Sequence, residues 1–244
     1  MSEEIHVLNK KVHLLQPEGG FRTSLDSVML AASCPAKAGD RVLDLGCGVC
    51  GASFCLLYRV DKIFVSGLDI QPEYIDLACK NATLNNNTDR CEFSVGDVRT
   101  FQISDMNQRF AHVVCNPPFL EAGSYTPSPD EARAAALGHL DRNIDLSVWI
   151  DCSFHALRSG GSLAMIHRAD HVDKIVQGLG KRFGQIEIFP LWPHVGEPAK
   201  RVIVRAVKDR RSPARIHAGL ILHNPNGEYT PQAEAVLRYA NPLF

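Results

Sequence analysis

The feature that most constrains the fold is a regular alternation of short apolar runs with helical stretches, which begins at Arg41. Short apolar runs predict buried strands, and the alternation is typical of an α/β fold, a mostly parallel sheet with helices on both faces. The predicted strands are residues 41–45, 63–68, 91–95, 111–115, 162–166, 185–189 and 201–207. The predicted helices are residues 51–59, 72–86, 143–158, 170–182 and 231–239.

Ahead of this core, two short apolar runs flank Asn9-Lys10 and predict a small hairpin, and a short helix is predicted near residues 25–32. The chain has 244 residues, of which 45% are hydrophobic and 22% charged, so it can bury a large core. Because no repeat, low-complexity tract or linker is evident, we expect a single domain over residues 1–244. Its predicted parts are an N-terminal extension (1–39), the core (40–207) and a C-terminal segment (208–244).

Other classes of protein are disfavoured. No apolar run approaches the ~20 residues of a membrane-spanning helix. The first residues are acidic and lack the features of a secretory signal, which predicts a cytoplasmic location. The eight cysteines are then expected to be small buried side chains in a reducing compartment. Cys47 and Cys50 form a C-x-x-C pair without a second pair, and His167 and His171 are interpreted as surface histidines, so no metal site is predicted.

The net charge of −1 conceals an asymmetry. Residues 1–150 carry 13 basic and 19 acidic side chains, whereas residues 151–244 carry 13 and 8. The basic excess is concentrated between Glu197 and His217, and it suits either contact with a polyanion or a solvated surface. Its basic residues are Lys200, Arg201, Arg205, Lys208, Arg210, Arg211 and Arg215.

A glycine-rich loop follows the first core strand. Asp44-Leu45-Gly46-Cys47-Gly48 lies in a G-x-G-x-x-G spacing between a strand and a helix, a pattern that several nucleotide-binding folds share. Asp69 ends the next strand, where a carboxylate can accept both ribose hydroxyls of NAD or of S-adenosylmethionine. Asp44 favours the second, because a carboxylate there repels a pyrophosphate and attracts a cation. Asp97, after the third strand, can accept an adenine amino group.

The most specific motif, Asn116-Pro117-Pro118-Phe119, directly follows the fourth core strand. An exocyclic or amide nitrogen is a poor nucleophile, so a methylating enzyme must hold its hydrogens and orient its lone pair. The Asn116 side-chain oxygen and the Pro117 carbonyl can accept those hydrogens, and more strongly as positive charge develops. Phe119 offers a face on which a planar base can stack. The irregular stretch from 116 to 141 predicts a binding loop.

Together these motifs resemble the Rossmann-like S-adenosylmethionine-dependent methyltransferases over residues 40–207. The tetrapeptide and the lead-in from Gly19 to Leu30 are similar to the bacterial tRNA(Val) adenine-N6 methyltransferases, in which Phe119 is more often tyrosine. The resemblance implies an antiparallel last strand, an S-adenosylmethionine cofactor, a tRNA partner, and an acid, here Asp26, that packs over the cofactor. The implied catalytic residues are Asn116, Pro117 and Phe119. The implied cofactor contacts are Asp26, Asp44, Gly46, Cys47, Gly48, Asp69, Ile70, Asp97, Val98 and Asn116.

Several alternatives remain open at this stage. Enzymes that methylate the N5 of a protein glutamine or the N2 of a ribosomal RNA guanine share the tetrapeptide, although their relatives usually carry a further domain for which this chain has little spare length. The glycine spacing alone also suits an NAD-dependent oxidoreductase. The third class is a non-catalytic RNA-binding module with the same fold. A protein that binds RNA but transfers no methyl group would belong to this class.

Overall fold

A long central sheet organises the molecule. The computed structural model describes residues 2–18, 23–103, 109–119 and 144–244. Within these ranges the strands are β1 (Ser2–Val7), β2 (Val12–Pro17), β3 (Arg41–Leu45), β4 (Phe64–Asp69), β5 (Cys91–Val95), β6 (Phe110–Cys115), β7 (Leu157–Arg168), β8 (Phe183–Trp192), β9 (Arg201–Lys208), β10 (Arg215–Ile216) and β11 (Leu220–Ile221). The central sheet has the order β10-β8-β9-β7-β6-β3-β4-β5, with β11 also paired to β8.

Helices cover both faces of this sheet. They are α1 (Leu25–Ser33), α2 (Gly51–Arg59), α3 (Pro72–Leu84), α4 (Leu146–Ala156), α5 (Val172–Leu179) and α6 (Pro231–Tyr239). Neighbouring strand residues alternate between two cores: Val42 packs with α1 and α2, whereas Leu43 packs with α4 and α5. Because successive strand side chains point to opposite faces, apolar runs such as β3 fill both cores at once. The predicted fold class is therefore confirmed.

The last long strand runs against the others. β3, β4, β5, β6 and β7 are mutually parallel, so their carboxyl ends share one edge of the sheet. β9 is antiparallel to β7, with Arg201 opposite Arg168 and Val207 opposite Ser162. The strand thus starts at the edge where the parallel strands end, and it finishes at the other edge. This confirms the predicted antiparallel strand.

The N-terminal hairpin forms its own two-stranded sheet, as predicted. Two asparagines of α3 bond to the backbone along its β2 edge. Asn85 accepts from the N–H of His13 at 3.0 Å and donates to its carbonyl, and Asn81 accepts from the N–H of Leu15 at 2.7 Å and donates to its carbonyl at 3.1 Å. The two side chains, one helical turn apart, take the place of a third strand.

Some predicted boundaries were wrong for identifiable reasons. β7 begins at Leu157 and continues through Gly160 and Gly161, which sequence patterns place in a turn. α5 ends at Leu179, because Gly180 adopts a positive φ of 55° just beyond its end. β10 and β11 were not predicted, since two-residue strands carry no periodic signal. The predicted binding loop from residue 120 onward and the lead-in residues 19–22 lie outside the described residues.

Candidate active site

The glycine-rich loop connects β3 to α2 in the predicted way. Gly46 and Gly48 have φ values of +66° and +54°, a region that side chains other than glycine rarely adopt. A Cβ on Gly46 would come within 2.6 Å of the Trp149 ring, whereas a Cβ on Gly48 would meet nothing within 4 Å. Gly46 and Cys47 both donate to the carbonyl of Leu68 on β4. The loop is therefore packed on one side and open on the other, which leaves room for a ligand.

Asp69 is tied to this loop. One of its carboxylate oxygens accepts the Gly48 N–H at 2.8 Å, and the other accepts the Gln71 N–H at 2.9 Å. Burial raises its pKa, while these backbone N–H groups act in the opposite direction. Each oxygen keeps a further lone pair, so the carboxylate retains capacity for two hydroxyl donors. This geometry fits the ribose-binding role that the sequence predicts.

Asp44 lies deeper in the sheet. It is 3% exposed, and it accepts a hydrogen bond from the Ser53 hydroxyl at 2.7 Å. Burial, together with the nearby charge of Asp69, raises its pKa to about 7. A buried carboxyl of this kind is easily ionised by an adjacent cation, because the cation stabilises its charged form. The donor set thus fits a cationic ligand such as S-adenosylmethionine.

The next strand ends supply the other predicted cofactor residues. Ile70 is 44% exposed directly after β4, so its apolar side chain is available to cover a flat ring. Val98 is buried. The carboxylate of Asp97 is bound by the Arg99 guanidinium, with Nε–Oδ distances of 2.8 and 3.0 Å, and this contact lowers its pKa. Its predicted role as an acceptor for adenine must therefore use lone pairs that Arg99 leaves free.

Asn116 follows β6, whose last residue Cys115 lies opposite Leu45 in the sheet. The register places Asn116 beside the glycine loop. Its Oδ1 atom is buried and makes no hydrogen bond within the described part of the chain. Leaving a buried acceptor unpaired costs about 1–3 kcal/mol, so this atom is suited to accept a hydrogen bond from a bound amine. Pro117 is buried and Pro118 is exposed.

Phe119 is held by two side chains that sequence reasoning did not connect with it. The guanidinium carbon of Arg201 lies 4.5 Å from the ring centre, and the His167 ring meets the Phe119 ring edge to face at 5.0 Å. Arg201 is the first residue of β9. The predicted antiparallel direction of this strand was the signal that could have placed Arg201 beside Phe119, because an antiparallel strand starts where the parallel strands end. A cavity of about 560 Å³ adjoins the ring, and it is lined by Phe119, Arg168, Asp170, Ala199, Lys200 and Arg201.

Asp26 lies in the first turn of α1, where it forms an ion pair with Arg201 at 3.0 Å from Nε to Oδ2. Its other oxygen is buried and has no partner among the described residues. The contacts that the structure describes therefore join Asp26 to the Phe119 side of the site. Direct contact with the cofactor, as the family resemblance implies, stays a prediction for the remaining oxygen.

The interpretation of His167 as a surface residue was wrong. It is 1% exposed and stacks on His171 with ring centres 4.8 Å apart. Burial, together with the neighbouring His171, lowers the pKa of His167 to about 4, so the ring is neutral at pH 7. Its burial could not be predicted, because a histidine near the end of an apolar strand has the same sequence pattern whether it is covered or exposed.

The cysteine prediction holds for most positions but not for all. Cys47 and Cys50 are buried, and burial raises the pKa of both thiols. Cys79 is exposed, because it lies on the outer side of α3. On the hairpin, Glu4, His6 and His13 bring their ligand atoms within 4.8 Å of one another, a group that sequence spacing did not reveal. The predicted absence of a metal stays a prediction.

The basic residues between Glu197 and His217 differ in their partners and in their exposure. Lys208 is 4% exposed and donates to the carbonyls of Phe154 and Leu157 at 2.6 and 2.9 Å, so its ammonium stabilises the end of α4. Lys208 therefore fits neither role expected for the basic segment, contact with a polyanion or a solvated surface. Arg205 pairs with Glu187. Arg210, Arg211 and Arg215 are exposed.

The sequence of this chain is similar to those of known methyltransferases. The model of the methyltransferase small domain family matches residues 22–190. The tRNA1(Val) (adenine(37)-N6)-methyltransferase of Vibrio campbellii is 23% identical over 86% of this chain and 84% of that protein. The enzyme of the same description from Porphyromonas gingivalis is 25% identical over 96% and 93%.

Solved structures of methyltransferases are similar to this chain. A predicted O-methyltransferase from Agrobacterium tumefaciens matches with a TM-score of 0.72 and 25% identity, over 90% of this chain and 98% of that one. An S-adenosylmethionine-dependent O-methyltransferase from Thermotoga maritima matches with a TM-score of 0.56 and 19% identity, over 80% and 68%. The second likeness concerns the fold alone. Within the ranges that the structure describes, every helix is too short or too polar to cross a membrane.

Proposed function

Because the chain belongs to the methyltransferase small domain family, and is thus an S-adenosylmethionine-dependent methyltransferase, we propose that it forms N6-methyladenosine in tRNA, at the adenine beside the anticodon of tRNA(Val). The observation that carries the proposal is the buried Oδ1 of Asn116 beside the glycine loop and Phe119, which has no hydrogen-bond partner among the residues that the structure describes. The relatives described as tRNA1(Val) (adenine(37)-N6)-methyltransferases support the choice of RNA.

The site residues divide the work of the reaction. S-adenosylmethionine supplies the methyl group from its sulfonium. Asp69 and Ile70 would hold the ribose and the adenine of the cofactor, and Asp44 would face its positive charge. Asn116 Oδ1 and the Pro117 carbonyl would accept the two hydrogens of the target amine, which directs the nitrogen lone pair toward the methyl group. Both acceptors gain strength as the nitrogen becomes cationic, so they act mainly on the transition state.

The target base requires a flat contact and access to its amine. Phe119 provides the ring on which an adenine can stack, which contributes about 1–3 kcal/mol per base. An amine that is paired within a duplex is inaccessible, so the base must be unpaired or extruded. An anticodon loop presents such a base at little cost. After transfer, the alkylated nitrogen releases one proton to water without a strong general base.

The test is to treat tRNA with the protein and labelled S-adenosylmethionine, and then to identify the nucleosides by mass spectrometry. N6-methyladenosine mapped beside the anticodon of tRNA(Val) supports the proposal. Methylguanosine, ribose methylation, or label found only in protein glutamine would each show that the substrate is a different one. Intact RNA binding without any transfer would identify a non-catalytic module.

A further inference from the structure

The cavity beside Phe119 is lined by three basic side chains. Arg168, Lys200 and Arg201 border it, together with the acid Asp170. Its volume of about 560 Å³ lies within the range of about 300–1,000 Å³ that is usual for small-ligand sites. Arg168 is paired with Asp170, its Nε lying 3.0 Å from Oδ1. Arg201 is likewise paired, with Asp26, so Lys200 is the cation of this lining that has no acidic partner within the described ranges.

The reversal of β9 explains why these cations lie at the site. Arg201 is opposite Arg168, at the edge where β6 delivers Asn116, whereas Lys208 lies at the other edge. Arg201 and Lys208 are the two ends of an eight-residue strand, and seven steps of about 3.3 Å separate them by roughly 23 Å. Arg210 follows at that far edge. The start of the basic segment therefore lies at the edge of the sheet that carries the candidate active site, and its middle lies at the opposite edge.

The guanidinium of Arg201 is fixed but keeps donors in reserve. Its Nε donates to Asp26 at 3.0 Å and its Nη1 to the Lys200 carbonyl at 3.2 Å. Within the described ranges Nη2 makes no hydrogen bond, so both of its hydrogens are available to a ligand. The Lys200 ammonium is exposed and has no acidic partner in the same ranges. A guanidinium whose Nε and Nη1 are bonded within the protein and whose Nη2 can still donate is suited to bind a phosphate oxygen.

We propose that Lys200 and Arg201 bind the backbone phosphate next to the target adenosine while its base stacks on Phe119. This inference rests on the proposed function and deepens it, because it makes the substrate a nucleotide within a polynucleotide. A glutamine side chain has no such anion to offer. The phosphate fixes the sugar end of the nucleotide, and Asn116 fixes its amine, so the two contacts define where the base lies.

The first experiment compares two charge reversals in the full chain. Lys200→Glu changes a cation at the cavity, and Arg210→Glu makes the same change at the far edge of the sheet. We expect Lys200→Glu to lower kcat/KM for tRNA by about tenfold through KM, and to reduce the logarithmic salt dependence of RNA binding by about 0.7 for one single-strand phosphate contact. Arg210→Glu should change both by less, and S-adenosylmethionine affinity, measured by calorimetry, should be the same in both variants.

The second experiment changes the RNA. An anticodon stem-loop with a neutral methylphosphonate next to the modified adenosine should be a poorer substrate for the wild type, and the loss should be smaller for Lys200→Glu, in which only Arg201 still contacts this position. Equal losses for Lys200→Glu and Arg210→Glu, or additive losses from the variant and the methylphosphonate, would overturn the phosphate site. If the wild type methylates no RNA at all, it is the proposed function that fails.

Discussion

Arg201 connects Asp26 to Phe119: its Nε lies 3.0 Å from the Asp26 carboxylate, and its guanidinium carbon lies 4.5 Å from the centre of the Phe119 ring. The three residues come from α1, from the start of β9 and from the loop after β6. Side chains from three separate segments therefore fix the orientation of the ring that the proposed base would contact. A flexible ring would lose stacking energy to the entropy of ordering it.

Arg201→Lys should weaken this arrangement, because a lysine cannot pair with Asp26 and cover the ring in the same flat geometry. We expect a lower kcat and a higher KM for RNA, with S-adenosylmethionine affinity unchanged. Arg205→Lys is the matched control, since Arg205 on the same strand also pairs with a carboxylate and lies 3.9 Å over the ring of Phe244. Equal kinetic effects from the two variants would show that Arg201 has only a structural role.

Asp69→Ala should weaken S-adenosylmethionine binding by about 1.5–3 kcal/mol, the value for hydrogen bonds to a charged group. Calorimetry measures the affinity directly. Because Asp69 also holds the Gly48 N–H, Asp69→Asn is the second variant: it keeps one acceptor for the loop and loses the charge. Unchanged affinity in both folded variants would exclude Asp69 from the cofactor site.

Asn116→Ala should lower kcat by about 100-fold or more, comparable to the loss of one preorganised polar group in other active sites. Cofactor affinity and KM for RNA should change little, because Asn116 is expected to act mainly in the transition state. Rapid-quench measurement of a single turnover isolates the methyl-transfer step. A single-turnover rate within a few-fold of the wild type would reduce the tetrapeptide to a structural turn.

Asp44 should make both stability and cofactor binding depend on pH. Its pKa is about 7 in the folded chain, against an ordinary value of 3.8 for a free aspartate, so the folded state keeps a proton that the unfolded state loses. The resulting stabilisation is complete below pH 3.8 and is lost as the pH rises to about 7, at about 1.4 kcal/mol per unit. Asp44→Asn should remove this slope in urea unfolding between pH 4 and pH 8.

The same ionisation should favour the positively charged cofactor. In the wild type, S-adenosylmethionine affinity should rise with pH toward 7 and binding should release a proton, which calorimetry in buffers of different ionisation enthalpy detects. Asp44→Asn should bind more weakly, without proton release. A wild-type affinity that is independent of pH between 6 and 8 would mean that the cofactor charge does not reach this carboxyl.

Hydrophobic periodicity was sufficient to predict the helices and strands that bury a regular face. α6 was predicted with its bounds, and Thr230 and Pro231 mark its start in the sequence. In the structure Ala240 adopts a positive φ just after its end. The order of the motifs also placed Asn116, Asp69 and the glycine loop at one edge, since parallel strands end together. The partners of charged groups could not be predicted in this way. Arg201 meets Asp26 across 175 positions, and such pairs depend on the packing of the whole chain.

The asparagines of α3 bear on how the molecule behaves in a concentrated solution. Asn81 and Asn85 occupy backbone donors and acceptors of β2 that would otherwise be free to pair with a strand of another molecule. Open strand edges are templates for self-association. We expect the Asn81→Ala/Asn85→Ala chain to sediment as larger species than the wild type at equal concentration. Two side chains that stabilise the hairpin would then also protect the protein from aggregation.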